Sequence, residues 1–307
     1  MSNVAVHSLP SSTRDASRLA SRLGVPIHEV AVHRFPDEEL RVTVGPTAPT
    51  TILYASLDRP NDKLISLLFA AEALRRTGAA RLILVAPYLC YMRQDAAFEA
   101  GQAISQKVIG RLFAETFDRV ITVDAHLHRT KTIQSVFLGI ETENLSAMPA
   151  IANVLGASGF DGRTVVVGPD AESEPWVSDL AGRIGVTYAI AQKTRRGDRS
   201  VGIRFADPQS FAGRPIVLVD DIVSSGGTLI ACAKELADAG AVSVDAVVTH
   251  ALFPPDLISL LVRNGIRSIQ STNSVAHPTN AIPIDEILAT ALRNEVSSGS
   301  GTPGALS

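Results

Sequence analysis

The run Ile216-Val217-Leu218-Val219-Asp220-Asp221-Ile222-Val223-Ser224-Ser225-Gly226-Gly227-Thr228 sets a buried strand, an acidic pair and a phosphate-sized cradle end to end. Four consecutive apolar residues after Pro215 fit a strand covered on both faces, as in a parallel sheet between helices. Asp220 and Asp221 then fall at the carboxyl end of that strand, where open α/β sheets place their ligands. Ser224 to Thr228 can turn backbone N–H groups inward as an anion nest, with hydroxyls as further donors. Residues 229–239 continue as a helix whose positive N-terminal end favours the same anion. A carboxylate pair beside such a nest points to a sugar phosphate, the acids taking ribose hydroxyls and the nest taking the phosphate. No Lys follows the glycines, so the run is not a Walker loop, and it is not a G-x-G-x-x-G turn.

A chain of 307 residues that is 46% hydrophobic and 19% charged can bury a sizeable core and hold two domains of ordinary size. Its net charge of −3 leaves no basic footprint for nucleic acid, so an anionic substrate must be gripped locally. Cys90 and Cys232 are its two cysteines and have neither a CxxC nor a metal-like spacing, which fits a reduced, cytoplasmic setting. No apolar run reaches the roughly 18 residues of a spanning helix. Residues 1–10 lack the basic region and apolar core of a secretory signal. A cytoplasmic protein without nucleic-acid or membrane partners is expected.

Short apolar runs at residues 51–55, 82–86, 120–123, 164–167, 216–219 and 245–248 predict strands. Helical stretches alternate with them. Residues 63–77 place Leu64, Leu67, Leu68, Ala71 and Leu74 on one face, and residues 103–116 align Ile104, Val108 and Leu112. The alternation argues for α/β architecture with mainly parallel sheets. Val85-Ala86-Pro87-Tyr88 pairs with Val167-Gly168-Pro169-Asp170, and Val123-Asp124 with Val219-Asp220, which hints at a duplicated unit. The boundary is drawn near Leu145, giving domains 1–145 and 146–290, with a Ser/Gly-rich, disordered tail at 291–307.

Five more segments carry candidate chemistry. Phe35-Pro36-Asp37-Glu38-Glu39 sits near a hairpin corner, where a Phe held by Pro can stack a purine and carboxylates can accept from it. On these residues alone, a solvated acidic turn reads better. Pro87 to Asp95 follows a buried strand and brings Arg93 to the ligand-binding edge; an Arg93–Asp95 ion pair is the plain alternative. Asp124, His126 and His128 share one face if their strand continues, a face able to bind zinc or, for phosphate chemistry, magnesium. Asp170 again follows a buried strand, and Glu172 and Glu174 read as acids at a helix start. Lys193-Thr194-Arg195-Arg196-Gly197-Asp198 reads as a basic cluster in a flexible loop, able to close over a polyphosphate or simply solvated.

In this order along residues 30–250, the segments resemble the ribose-phosphate diphosphokinase (phosphoribosyl diphosphate synthase) family. The Asp220–Thr228 run by itself resembles a signature shared with type I phosphoribosyltransferases. The resemblance implies two duplicated type I phosphoribosyltransferase-like domains, each with a mainly parallel sheet flanked by helices. It implies transfer of the diphosphoryl group of ATP to the anomeric hydroxyl of ribose 5-phosphate, with Mg2+ as cofactor. Its implied ATP ligands are Phe35, Asp37, Glu38, Glu39, Arg93 and Gln94, with Glu38 standing where the family has Gly. Asp220, Asp221, Ser224, Ser225, Gly226, Gly227 and Thr228 are implied for ribose 5-phosphate, His126 and Asp170 for the metal, and Lys193 and Arg195 for catalysis. Departures occur at Glu172-Ser173, in place of glycines, and at Ser225, in place of Thr. A homo-oligomer is implied as well. A phosphoribosyltransferase and a non-catalytic regulatory relative stay open as alternatives.

Overall fold

The computed structural model describes residues 2–196 and 200–297, without the side chains of residues 193–196, 200 and 201. The chain divides into two compact units, one holding residues up to Leu145 together with the segment from Asp285, the other Ser146–Ile284.

The first unit opens with β1 (Val4–Ser8), α1 (Thr13–Leu23), β2 (Ile27–Glu29), β3 (Ala31–Arg34), β4 (Leu40–Thr43) and β5 (Thr50–Tyr54). It continues with α2 (Asn61–Arg76), β6 (Arg81–Ala86), α3 (Ser105–Thr116), β7 (Arg119–Val123) and β8 (Glu141–Leu145). Six strands form a parallel sheet in the order β2-β1-β5-β6-β7-β8, and β3 and β4 form a separate antiparallel hairpin. The central strands are apolar and buried nearly end to end, as parallel strands must be when both faces are covered. Leu53, Leu82, Leu84, Phe113 and Phe117 anchor this unit's core.

The α3 face differs from the one predicted. Gln106, Ile109, Gly110 and Phe113 are buried, while Val108 is 58% exposed and Ile104 precedes the helix. Gly110 explains the rotation: a Cβ there would collide with the Val136 carbonyl, so the close contact with the 133–137 segment needs the smallest residue on that side. β1 escapes a search for apolar runs because its last residues, His7 and Ser8, are polar yet fully buried.

The second unit runs α4 (Met148–Ala157), β9 (Val165–Gly168), α5 (Glu174–Ile184), β10 (Thr187–Ile190), β11 (Gln192–Arg196), β12 (Ser200–Arg204) and β13 (Pro215–Val223). It ends with α6 (Gly227–Asp238), β14 (Ser243–Ala251), α7 (Leu257–Arg263), β15 (Ile266–Thr272) and β16 (Asn280–Ile282). Its six-stranded parallel sheet has the order β10-β9-β13-β14-β15-β16, with β11 and β12 as an antiparallel pair. Counting sheet strands within each unit, both orders read 2-1-3-4-5-6, and each hairpin is inserted after the second strand.

This shared topology corrects the pairing drawn from sequence. β6 is the fourth sheet strand of its unit and β9 the first of the other, so Pro87 and Pro169 end non-equivalent strands. β7 and β13 are likewise fifth and third. Prolines and aspartates are common wherever a strand gives way to a turn, so they mark strand ends without marking which strand.

The last helix, α8 (Asp285–Ser297), overturns the limits set at 290 and 291, since an ordered helix stands across them. It belongs to the first unit, where Asp285 pairs with Arg22, and Glu295 takes Arg81 at 2.8 Å and Arg119 at 2.9 Å. Leu288, Ala289 and Leu292 supply its buried stripe. Among the described residues no helix is long and apolar enough to cross a membrane.

Candidate active site

The acidic pair lies inside β13 rather than after it, because pairing with β14 continues through Asp220↔Val248 to Val223↔Ala251. Strand alternation sends Asp220 and Asp221 to opposite faces. Asp221 is buried, and its backbone N–H donates to Asp220 Oδ1 at 3.0 Å. The Asp220 carboxyl is pushed well above the usual carboxylate range, first by burial and then by the negative charges of Asp221 and Asp170.

Beyond Val223 the chain turns through exposed Ser224 and Ser225 into Gly226, the N-cap of α6, at φ 72°. Only glycine takes that conformation without strain. A Cβ on Gly226 would also stand 3.0 Å from Leu257 and 3.1 Å from Leu261 of α7. No side chain caps α6, and its first turn carries no acid, so its first N–H groups and positive dipole end are left for an anion. Gly227 is exposed, and a Cβ there would meet nothing nearer than Ser225 Oγ at 3.9 Å. Thr228 follows in the same turn, half-buried.

Asp170 ends the turn after β9. Its Oδ1 accepts from the backbone N–H groups of Glu172 at 3.1 Å and Ser173 at 3.3 Å, capping a short 3-10 turn over Ala171–Ser173. Asp170 is therefore the cap itself, while Glu174 stands in the first turn of α5. Ser173 is buried where the resemblance expects glycine, and its hydroxyl donates to the Asp170 carbonyl at 2.5 Å. That packing leaves no room at Gly168, where a Cβ would run into Ser173 Oγ.

Lys193 and Arg195 stand on β11, paired in register with Ile203 and Val201 of β12. The expected flexible loop is thus an antiparallel strand at this point, since backbone pairing does not require an apolar sequence. Their side chains lie outside the described residues, as do Gly197, Asp198 and Arg199 entirely.

In the first unit, Phe35, Asp37, Glu38 and Glu39 form the turn of the β3–β4 hairpin. The Phe35 carbonyl accepts from Glu38 N–H at 2.9 Å, and Phe35 N–H donates to the Glu39 carbonyl at 2.8 Å. Glu38 sits at φ 72°, so it keeps the left-handed conformation that glycine adopts freely and a three-residue hairpin loop requires. Phe35 is exposed between His33, edge-on at 4.8 Å, and the Arg41 guanidinium, 5.8 Å from its ring centre.

Arg93 and Gln94 lie on the connection over residues 87–104, Arg93 exposed and Gln94 half-buried. Asp95 pairs with Arg129, not with Arg93, at 2.9 Å. β7 stops at Val123, and Asp124 at φ 38° breaks the extended run, so the three-residue face expected over Asp124, His126 and His128 does not form as a strand. The rings of His126 and His128 instead meet edge-to-face, with centres 3.8 Å apart. Arg129, the cation next to this pair, was not singled out by sequence reasoning; its position directly after two histidines is the signal that marks it.

The donor set suits a hard cation. Asp170 and Asp220 supply carboxylate oxygens, and the Asp220 carboxyl is raised by burial first and then by the negative charges of Asp221 and Asp170. Among the described residues no three His, Cys, Asp or Glu side chains form a metal cage. Oxygen ligands with the remaining positions taken by water and substrate are the pattern of magnesium rather than of structural zinc.

Comparison with known proteins agrees with this architecture. A family profile described as the N-terminal domain of ribose phosphate pyrophosphokinase matches residues 4–116, and one described as a phosphoribosyl transferase domain matches residues 150–253. The chain is 33% identical over 280 residues to a ribose-phosphate pyrophosphokinase of Methanopyrus kandleri, covering 90% of this chain and 94% of that protein. It is 34% identical over 273 residues to the enzyme of the same name from Brucella melitensis, covering 87% and 86%. Its fold is similar to the crystal structure of phosphoribosylpyrophosphate synthetase from Mycobacterium smegmatis, with a TM-score of 0.84 at 24% identity over 96% of this chain and 99% of that one.

Proposed function

The chain belongs to the ribose-phosphate pyrophosphokinase family, and from that premise we propose that it moves the diphosphoryl group of ATP to the anomeric hydroxyl of ribose 5-phosphate, giving 5-phosphoribosyl 1-diphosphate and AMP. The observation that carries this reading is one strand-to-helix connection: an acidic pair inside β13, two residues before its end, followed by the uncapped start of α6. The Asp220 carboxylate can accept from ribose hydroxyls, and the N–H groups behind Gly226 can bind a phosphate.

In this reading Asp220 meets the ribose hydroxyls and Asp221, whose side chain lies on the opposite face of β13, supports it through its backbone N–H to Asp220 Oδ1, while Ser224, Ser225, Gly226, Gly227 and Thr228 hold the 5-phosphate. Phe35 offers a face to the base of ATP, with Asp37, Glu38 and Glu39 as nearby acceptors. Arg93 grips nucleotide phosphates through its planar fork, and Gln94 adds a hydrogen bond. Magnesium would supply charge neutralisation on the nucleotide phosphates, with His126 in the first unit and Asp170 in the second as the residues that the resemblance implies for it. Lys193 and Arg195 stabilise the charge that grows as the bond to AMP breaks, a role in which positioning and electrostatics dominate. Their assignment rests on the sequence pattern. A cytoplasmic, homo-oligomeric enzyme is proposed with it. The relatives carry the pyrophosphokinase name over both units, so neither a phosphoribosyltransferase nor a non-catalytic relative is favoured.

The test is AMP release from ATP in the presence of magnesium. AMP formed in step with ribose 5-phosphate consumption supports the reading. ADP formation, or no nucleotide product at any magnesium concentration, sinks it.

A further inference from the structure

The connection over residues 87–104 exceeds the roughly 12–15 residues at which a segment without regular structure becomes unusual. Something must fix it if Arg93 and Gln94 are to meet a ligand in one geometry. Two cross-links to the segment after β7 do so. Asp95, with its side chain 1% exposed, accepts from the Arg129 backbone N–H and from its guanidinium, both at 2.9 Å. Burial opposes ionisation of Asp95, yet these two donors hold its carboxyl below the usual range. The second link passes through buried Gln106, whose N–H donates to the Gln94 carbonyl at 3.2 Å and whose Oε1 accepts from Thr130 Oγ1 at 2.7 Å.

Arg129 also lies 5.1 Å over the ring of Phe98, from the far side of the same connection. Both side chains are exposed, at 61% for Arg129 and 57% for Phe98, so neither is held there by core packing. Gln102 then gathers that stretch, its Oε1 accepting from the N–H groups of Phe98 at 3.0 Å and Glu99 at 3.3 Å.

We propose that Arg129 is a positioning residue: by clasping Asp95 and covering Phe98, it fixes the Arg93–Gln94 segment relative to His126, three residues before it in the chain. The proposal rests on the reading of Arg93 and Gln94 as nucleotide ligands. Arg129 itself touches no substrate in this account. Its removal should therefore loosen the grip on ATP and leave the ribose 5-phosphate site alone.

The experiment measures ATP affinity by calorimetry, and KM for both substrates, in wild type and in Arg129→Ala, Arg129→Lys, Asp95→Asn and the Asp95→Asn/Arg129→Ala double variant. Expected are an ATP affinity and KM about tenfold weaker in Arg129→Ala, a ribose 5-phosphate KM within twofold, and partial recovery in Arg129→Lys, which restores the charge but not the planar cover over Phe98. The double variant should be no worse than the poorer single, since the two residues act through one contact. Equal weakening of both substrates, no change for ATP, or additive losses would overturn the clasp. Wild type releasing no AMP would sink the proposed reaction while the calorimetric ATP series still decides on the clasp.

Discussion

The two units share a strand order, but the connection after the third sheet strand is built in opposite senses. In the second unit, β13 leads through Ser224 and Ser225 to an uncapped helix behind Gly226, so the loop presents donors and no resident cation. In the first, the stretch after β5 presents acceptors, and Lys63 of α2 already occupies them. Its ammonium donates to the Ser56 carbonyl at 2.8 Å and to Asp58 at 2.6 Å. Asp62 also stands in the first turn of α2, where it offsets the helix dipole, whereas α6 has no acid there. One topology thus yields a place for an anion in one copy and an internally neutralised loop in the other. The fold supplies the strand end, and a handful of side chains decide whether it stays open to a ligand.

The contrast can be broken at several points. The largest effect is expected at Asp220. Asp220→Asn should lower kcat/KM for ribose 5-phosphate by about 100-fold or more, in line with the loss of a charged hydrogen bond and its orientation. Without ligand or divalent cation, the same change should raise stability at neutral pH. The folded carboxyl titrates above its unfolded value, so the wild-type protein loses stability as pH rises past the ordinary carboxylate range. Melting curves should converge near pH 3, where the carboxyl is protonated in both states, and separate at pH 7. Parallel curves would contradict a carboxyl raised by its burial and its acidic neighbours.

Next come the paired glycines. Gly226→Ala forces a side chain into φ 72° and against Leu257 and Leu261, and should destabilise by roughly 1–2 kcal/mol. Gly227→Ala meets open space at the start of α6, so the fold should hold or gain up to about 1 kcal/mol while ribose 5-phosphate binding weakens about tenfold. Denaturant melts and substrate titration separate the two. If Gly227→Ala binds ribose 5-phosphate like wild type, the phosphate does not approach the backbone there.

The smallest functional effect belongs to the first unit. Lys63→Met leaves Asp58 without its partner and should cost about 1–3 kcal/mol of stability, with the ribose 5-phosphate KM unchanged. A shift in that KM would mean the neutralised loop takes part in sugar binding after all.

Much of the second-unit connection is legible in the sequence because each part is local: an apolar run, two acids and a glycine-rich turn are adjacent in the chain. The β3–β4 hairpin is legible for the same reason, whereas the backbone at Glu38, at φ 72°, is not readable from a residue that rarely adopts that conformation. What escapes is set by partners distant in sequence. Arg129 and Asp95 are 34 positions apart, and neither residue announces the other. β11 is polar and basic, so its pairing with β12 leaves no hydrophobic trace. The exposed face of α3 depends on one glycine lying against a distant carbonyl, and the return of α8 to the first unit depends on Arg22, Arg81 and Arg119.

The most direct test of the central claim is to count ribose 5-phosphate sites by calorimetry in wild type, Gly227→Val and Lys63→Met. A single sugar-phosphate cradle, in the second unit, calls for one site per chain in wild type, none in Gly227→Val and one in Lys63→Met. Two sites per chain in wild type, or a site surviving intact in Gly227→Val, would contradict it.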